Sequence, residues 1–463
     1  MTLLKNFLTR NRMNSLVIKL GAILLLLILS MIYSFGSYKK MPTKNNKKNI
    51  LSVSIPGQIG CVEDSVNKQY SIAMPSGTSL KTLAPIFNLS QGATITPASG
   101  RVVDFSKDSV TYTVTAENGA ALVWTIHVGF TLPLITADNS NIQYTGRIDF
   151  ESPTKPKFSA PGVYIKAKFT GTFCDIDMFD ATSYNYIEVI IDDQTPVRMF
   201  MQSGRKTYRV ASDLSKGEHT ILICKDTEAA VGSLTFFGFK CEGLSELPDK
   251  SSKKLECYGN SITCGAKMIT DLCSQGTGSN WNITNKAYMS FGAIAARDMN
   301  AQWMLTSVSG IGLIHSCCGM TYTLPDAYDR LYLDNSSSPK WDFTKYTPDV
   351  VTIELGTNDG VQDSTTFCNT YVSFIQAIRV HYPNAHIFLL TGPSTAADVF
   401  NFLVNSLTRV VNYMNNTLGD SKVHKIILSS HSLNGGCDGH PNEAQQQQIA
   451  TDIENVIKPI MGW

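Results

Sequence analysis

The feature that most constrains this chain is a change of pattern near residue 253. From there to residue 463, short apolar stretches alternate with longer helical ones. "KLECYG" (254–259), "WMLTSVSG" (303–310), "DVVTIELG" (349–356), "HIFLLTG" (386–392) and "KVHKIILSS" (422–430) predict five strands. Residues 288–299, 365–380, 395–417 and 442–460 carry helical periodicity. Such alternation predicts an α/β domain with a mostly parallel five-stranded sheet and helices on both faces. In sheets of this kind ligands bind outside the carboxyl ends of the strands, so any chemistry should follow the strands.

The preceding chain reads differently. Residues 50–130 hold short alternating stretches broken by turn residues, such as "SVTYTVTAENG" and "LVWTIHVG", and predict an immunoglobulin-like β-sandwich. Residues 135–248 alternate again in "GVYIKAKFTGTF", "YIEVIIDDQ" and "EHTILICKD", which predicts a second sandwich of jelly-roll kind. The expected protein is therefore multidomain: two all-β sandwiches followed by the α/β domain of residues 253–463. Residues 1–49 stand apart.

Four residues of chemical interest fall at strand ends. Ser261 follows the first strand directly after Gly259 and Asn260, where a hydroxyl is free to face the sheet edge. Gly310 follows the second strand and can bring its N–H close to a bound group. Asn358, in Gly356-Thr357-Asn358-Asp359 after the third strand, offers an uncharged amide donor. With the Ser261 N–H, these make three donors suited to a developing oxyanion. His440 follows the fifth strand, next to Pro441, and is the candidate general base. Each residue alone fits an ordinary turn; their coincidence on one sheet edge argues for a nucleophilic serine.

The blocks "GNSIT", "SGIG", "GTND" and "DGHP" resemble the four signature blocks of SGNH, or GDSL-type, hydrolases. Upstream, "YTGRIDF" (144–150), "KGEHTILICKDTEA" (216–229) and "LTFFGFKCEG" (234–243) are similar to carbohydrate esterase family two. The resemblance covers residues 138–460, not the first sandwich. It implies Ser261 as nucleophile, His440 as base, and Ser261, Gly310 and Asn358 as the oxyanion hole. It further implies removal of acetyl groups from plant-type polysaccharides such as xylan and glucomannan, with no metal or organic cofactor. Two positions depart from the pattern. Asn260 stands where Asp is usual, and Cys437 stands three residues before the His, where the superfamily usually places its acid. Asp438 is the remaining candidate to orient His440; a backbone carbonyl in that role, or Asp438 as a helix cap, are the alternatives. A carbohydrate-binding protein without chemistry, or a lipase or thioesterase on the same scaffold, are the rival functions. Trp281, Tyr322 and Trp341 are either sugar-stacking residues or core and rim.

Lys5, Arg10, Arg12 and Lys19 precede an apolar run from Leu20 to Ile32, with Ser34 and Gly36 beyond. This predicts export, through a cleaved signal peptide or an uncleaved anchor, to the periplasm, cell surface or medium. Membrane contact is expected only through that segment. Residues 1–50 hold nine Lys or Arg and no acid, which leaves 30 basic against 38 acidic residues in the body. A mildly acidic body excludes nucleic acid as an expected partner. The eleven cysteines show no metal-ligand spacing. Adjacent Cys317 and Cys318 are expected to be ordinary thiols.

Overall fold

The computed structural model describes residues 20–27 and 44–463, apart from 59, 76, 131–133, 172, 213, 216, 242, 277, 335–337 and 394. Residues 20–27 are helical, and the rest of the expected export signal lies outside the described residues. Among the described residues no helix is long and apolar enough to cross a membrane. The chain divides into two compact units, residues 1–131 and 132–463.

In the first unit, Gly60–Asp64, Gln69–Met74, Ala121–Phe130, Ser109–Thr115 and Thr94–Thr96 form one sheet, while Ile50–Ser54 pairs with Ile86–Leu89. Tyr112 and Val114 are buried while Thr111, Thr113 and Thr115 retain solvent contact, the period-two pattern of a strand with one packed face. Gly119, at φ 90°, turns Ser109–Thr115 back into Ala121–Phe130, a positive φ that suits glycine. Trp124, Tyr112, Phe105 and Phe87 fill a single core beneath both sheets.

The second unit begins with a sandwich of a five-stranded and a six-stranded antiparallel sheet, from Ile135–Thr136 to Gly243–Ser245. Along Tyr164–Thr170, Ala167 and Phe169 are buried while Lys166 is exposed. Phe169, Ile176, Met178, Val189, Ile223 and Phe236 pack between the sheets.

The α/β layer follows, with β1 (Lys254–Gly259), β2 (Gln302–Ser307), β3 (Val350–Glu354), β4 (His386–Leu390) and β5 (Val423–Ile426). All four pairings are parallel, in the order β2-β1-β3-β4-β5. Its helices are α1 (Ser261–Cys264), α2 (Phe291–Asp298), α3 (Leu324–Ala327), α4 (Ser364–His381), α5 (Ala397–Asn416) and α6 (Glu443–Met461). Leu255, Cys257, Phe388 and Leu390 face α2 and α6, whereas Tyr258, Ile353, Ile387 and Leu389 face α4 and α5. Because side chains alternate along each strand, this is the doubly covered sheet that the near-continuous apolar strands predict.

Sandwich and α/β layer are joined by buried polar contacts. Arg147, fully buried, donates to Thr306 Oγ1 at 3.2 Å, to the Arg330 carbonyl at 2.8 Å and to Glu256 Oε1 at 3.4 Å. Trp303 Nε1 donates to the Gly162 carbonyl at 2.9 Å, and a Cβ at Gly162 would lie 2.6 Å from Leu305. Removing one member of a buried ion pair strands its partner without solvent. Arg147→Met is therefore expected to destabilise residues 132–463 by about 3–5 kcal/mol in urea unfolding.

Candidate active site

β1 ends at Gly259, where a Cβ would lie 2.0 Å from Thr263 Oγ1 and 3.1 Å from the Glu354 carbonyl. Only glycine lets α1 fold back this tightly. Asn260 caps α1, its side-chain oxygen accepting from the Ile262 N–H at 2.9 Å and its NH₂ donating to Glu354 Oε1 at 3.2 Å. Burial raises the Glu354 pKa to about 8, so this carboxyl is mostly protonated at neutral pH. An uncharged Asn is thus a fitting neighbour for it. The sharp strand-to-helix turn presents Ser261 at the first position of α1.

His440 Nε2 lies 2.8 Å from Ser261 Oγ. On the other side of the ring, Nδ1 lies 3.2 Å from the backbone carbonyl of Asp438. The expected role of the Asp438 carboxylate is corrected here. Asp438 adopts the left-handed conformation (φ 47°, ψ 41°), its carbonyl faces the imidazole, and its carboxylate pairs with Lys267 Nζ. Nor does Asp438 cap the helix: Asn442 does, with Gln445 completing a reciprocal capping box. Burial lowers the His440 pKa; the carbonyl contact opposes this and the Lys267 charge adds to it. The imidazole therefore remains neutral, and able to accept a proton, to lower pH than a free one.

β1 is flanked on both sides, with Gly259 opposite Ser307 of β2 and Glu354 of β3. Gly310, after β2, takes φ 80° and its carbonyl accepts from the Cys317 N–H at 2.8 Å. Among the described residues, no acceptor partners the N–H of Ser261 or of Gly310. Asn358 Nδ2 donates to the Ile311 carbonyl at 2.8 Å, which uses one of the two N–H groups of its amide. The neighbouring Asp359 carboxylate accepts from the N–H groups of Leu313, Ile314 and His315 at 2.7–3.0 Å. It pins the loop that carries Gly310.

The sandwich reaches this edge through Glu228, whose fully buried carboxylate accepts from the Ser309 N–H at 2.8 Å and from its hydroxyl. Beneath it Lys225 donates to the carbonyls of Thr227 and Glu228, and burial lowers its pKa to about 7. Cys273 is bonded to Cys437. Cys317 and Cys318, expected to be separate thiols, are bonded to each other, the left-handed backbone of Cys318 (φ 64°) turning the loop there. Trp341 belongs to the core, 5% exposed against Met304, Leu331 and Tyr346, whereas Trp281 and Tyr322 are half-buried. Among the described residues no cluster of His, Cys, Asp or Glu could hold a metal ion.

Sequence reasoning missed Glu228, Glu354, Asp359 and Lys267. Asp359 stood inside "GTND" and Glu354 inside a predicted strand, yet buried carboxylates are rare enough that either could have been singled out. Lys267 carried no signal.

Residues 144–249 match the family model "Carbohydrate esterase 2 N-terminal", and residues 50–128 match "SGBP, N-terminal". The chain is 34% identical over 337 residues to the cellulase/esterase CelE of Acetivibrio thermocellus, covering 70% of this chain and 40% of that protein. It is 28% identical over 338 residues to an acetylxylan esterase / glucomannan deacetylase of Cellvibrio japonicus, covering 71% of this chain and 91% of that one. Among solved structures it is similar to a family two carbohydrate esterase from Clostridium thermocellum in complex with cellohexaose. That match has 32% identity and a TM-score of 0.65, and covers 70% of this chain and 99% of the other.

Two predictions follow from the imidazole's surroundings. Asp438→Asn, which tolerates the left-handed backbone and keeps the carbonyl, should lower kcat by less than about tenfold; losing a true triad carboxylate costs about 10⁴-fold. Lys267→Met removes a positive charge that holds the His440 pKa down. The acid limb of the kcat/KM profile should then move to higher pH, since the base would be lost at a higher pH as protons are added.

Proposed function

The chain belongs to carbohydrate esterase family two, and from that premise we propose that it hydrolyses O-acetyl esters on plant-type polysaccharides, xylan and glucomannan, or on oligosaccharides cut from them. The observation that carries this reading is the 2.8 Å contact between His440 Nε2 and Ser261 Oγ at the carboxyl edge of the sheet. His440 takes the Ser261 proton as Oγ attacks the acetyl carbonyl. The N–H groups of Ser261 and Gly310 and the Asn358 amide receive the developing O⁻, each such donor being worth about 3 kcal/mol of barrier. His440 gives the proton to the departing sugar oxygen, which leaves as a hydroxyl. Water then attacks the acetyl-Ser261 with the same base, releasing acetate.

The substrate class is taken from the relatives. The Cellvibrio japonicus proteins are named for acetylxylan and glucomannan, and the Clostridium thermocellum structure holds cellohexaose. The basic and apolar N-terminal stretch supports export, which is where such polymers are met.

Ser261→Ala and His440→Ala should each lower acetate release from an aryl acetate by roughly 10⁴-fold or more. Activity close to the parent's in either variant would overturn the assignment. A fluorophosphonate should label Ser261 in the parent, whereas a binding protein would leave it unlabelled. Aryl acetate should be cleaved faster than aryl octanoate, with acetate released from acetylated xylan or glucomannan; a preference for octanoate would indicate a lipase.

A further inference from the structure

A backbone carbonyl can orient an imidazole only as well as its own chain is held, and a left-handed Asp persists only where the surrounding structure over-determines it. Here a local turn over residues 436–440 is tied down by the segment that leaves the nucleophile. Ala266 N–H donates to the Ser261 carbonyl at 2.9 Å, and the next residue's carbonyl, that of Lys267, accepts from the Cys437 N–H at 2.8 Å. Lys267 Nζ holds the Asp438 carboxylate. Cys273, six residues further on, is covalently bonded to Cys437. The His440 N–H then donates to the Cys437 carbonyl at 3.1 Å, and the Gly436 N–H to the His440 carbonyl at 2.6 Å. A Cβ at Gly436 would lie 2.7 Å from the Lys267 carbonyl, so the two segments are in tight contact.

We infer that the Cys273–Cys437 disulfide is a positioning element for catalysis: it fixes the Asp438 carbonyl against His440 Nδ1 and so takes over the orienting work of the missing triad carboxylate. The inference rests on the Ser261–His440 reading above. Cys437 occupies the position, three residues before His440, at which the resembling superfamily carries its acid. The clamp and the nucleophile share one short stretch of chain, residues 261–273, so the disulfide also sets the separation of Ser261 from its base.

The test is Cys273→Ser in the full chain, made in both the parent and the His440→Ala background, with aryl acetate kinetics. In the parent background kcat should fall on the order of 10- to 100-fold, as for a misplacement near 1 Å, with KM changed less than about twofold. In the His440→Ala background the residual rate should change by less than about twofold, because the clamp acts through the imidazole. Unchanged kcat in the parent background, or equal losses in both backgrounds, would overturn the inference. Parent-like activity of His440→Ala would instead overturn the Ser261–His440 reading itself. Should Cys273→Ser not fold, the folded parent is treated with a thiol reductant and an alkylating agent, and each disulfide is followed by mass spectrometry. Loss of kcat should track opening of Cys273–Cys437, and opening without loss would refute the role.

Discussion

Everything at the catalytic edge depends on β1 being paired in parallel on both sides. Because β2 and β3 run in the same direction, with Ser307 and Glu354 both opposite Gly259, three loops leave the sheet together. The strand order β2-β1-β3-β4-β5 reverses at β1, the place where open α/β sheets form a crevice. A serine after β1, a glycine after β2 and an asparagine after β3 thereby leave the sheet at the same edge.

Topology alone leaves the loops loose, and buried polar groups fix them. The Asp359 carboxylate gathers three successive N–H groups of the loop after β2. Glu228 reaches from the sandwich to Ser309, one residue before Gly310. Glu354 joins the loop after β3 to the cap of α1 through Asn260 and Thr357. The Asp359 and Glu228 carboxylates are costly to bury unless their acceptor capacity is filled, so each punishes any rearrangement of the loop it holds, while the largely protonated Glu354 holds its loop through Oε1. The jelly roll is thus part of the active-site frame rather than a spacer, since Glu228 and the buried Arg147 both belong to it.

The sheet was legible because its strands are continuous apolar runs and its helices carry a clean period; β1 was read to the residue, β2 begins one residue before the expected stretch, β3 and β5 begin one residue after it, and β2 to β5 all end short of it. The meeting of Ser261 and His440 was legible because topology places strand ends on one edge; Gly310 and Asn358 leave the same edge, and their oxyanion role belongs to the proposed mechanism. What orients His440 was legible only as an open choice between the Asp438 carboxylate and a backbone carbonyl. A sequence displays side chains, and an Asp two residues before a His invites a carboxylate role; the backbone at Asp438 is left-handed and offers its carbonyl instead, in contact with Lys267 and next to the Cys273 bond, 171 and 165 residues upstream. The Cys273–Cys437 pairing was hidden for the same reason, since eleven scattered cysteines permit too many pairings to choose among.

Exchanging a carboxylate for a carbonyl has a chemical consequence that the rest of the site is built around. A carboxylate beside Nδ1 both orients the ring and stabilises the imidazolium that forms when Ser261 gives up its proton. A neutral carbonyl accepts the same Nδ1–H and selects the same tautomer, leaving Nε2 free to accept from Ser261, but it contributes only a dipole to the charged state. Burial and the Lys267 charge then press the His440 pKa down rather than up. The base is weaker, yet it is present in its working form over a wider acid range. The barrier must accordingly be lowered more by what receives the oxyanion and by the fixed geometry of Ser261 and His440 than by the strength of the base. That places the demand on rigidity, which is what buried Asp359, Glu228 and Glu354 and the covalent tie at Cys437 supply.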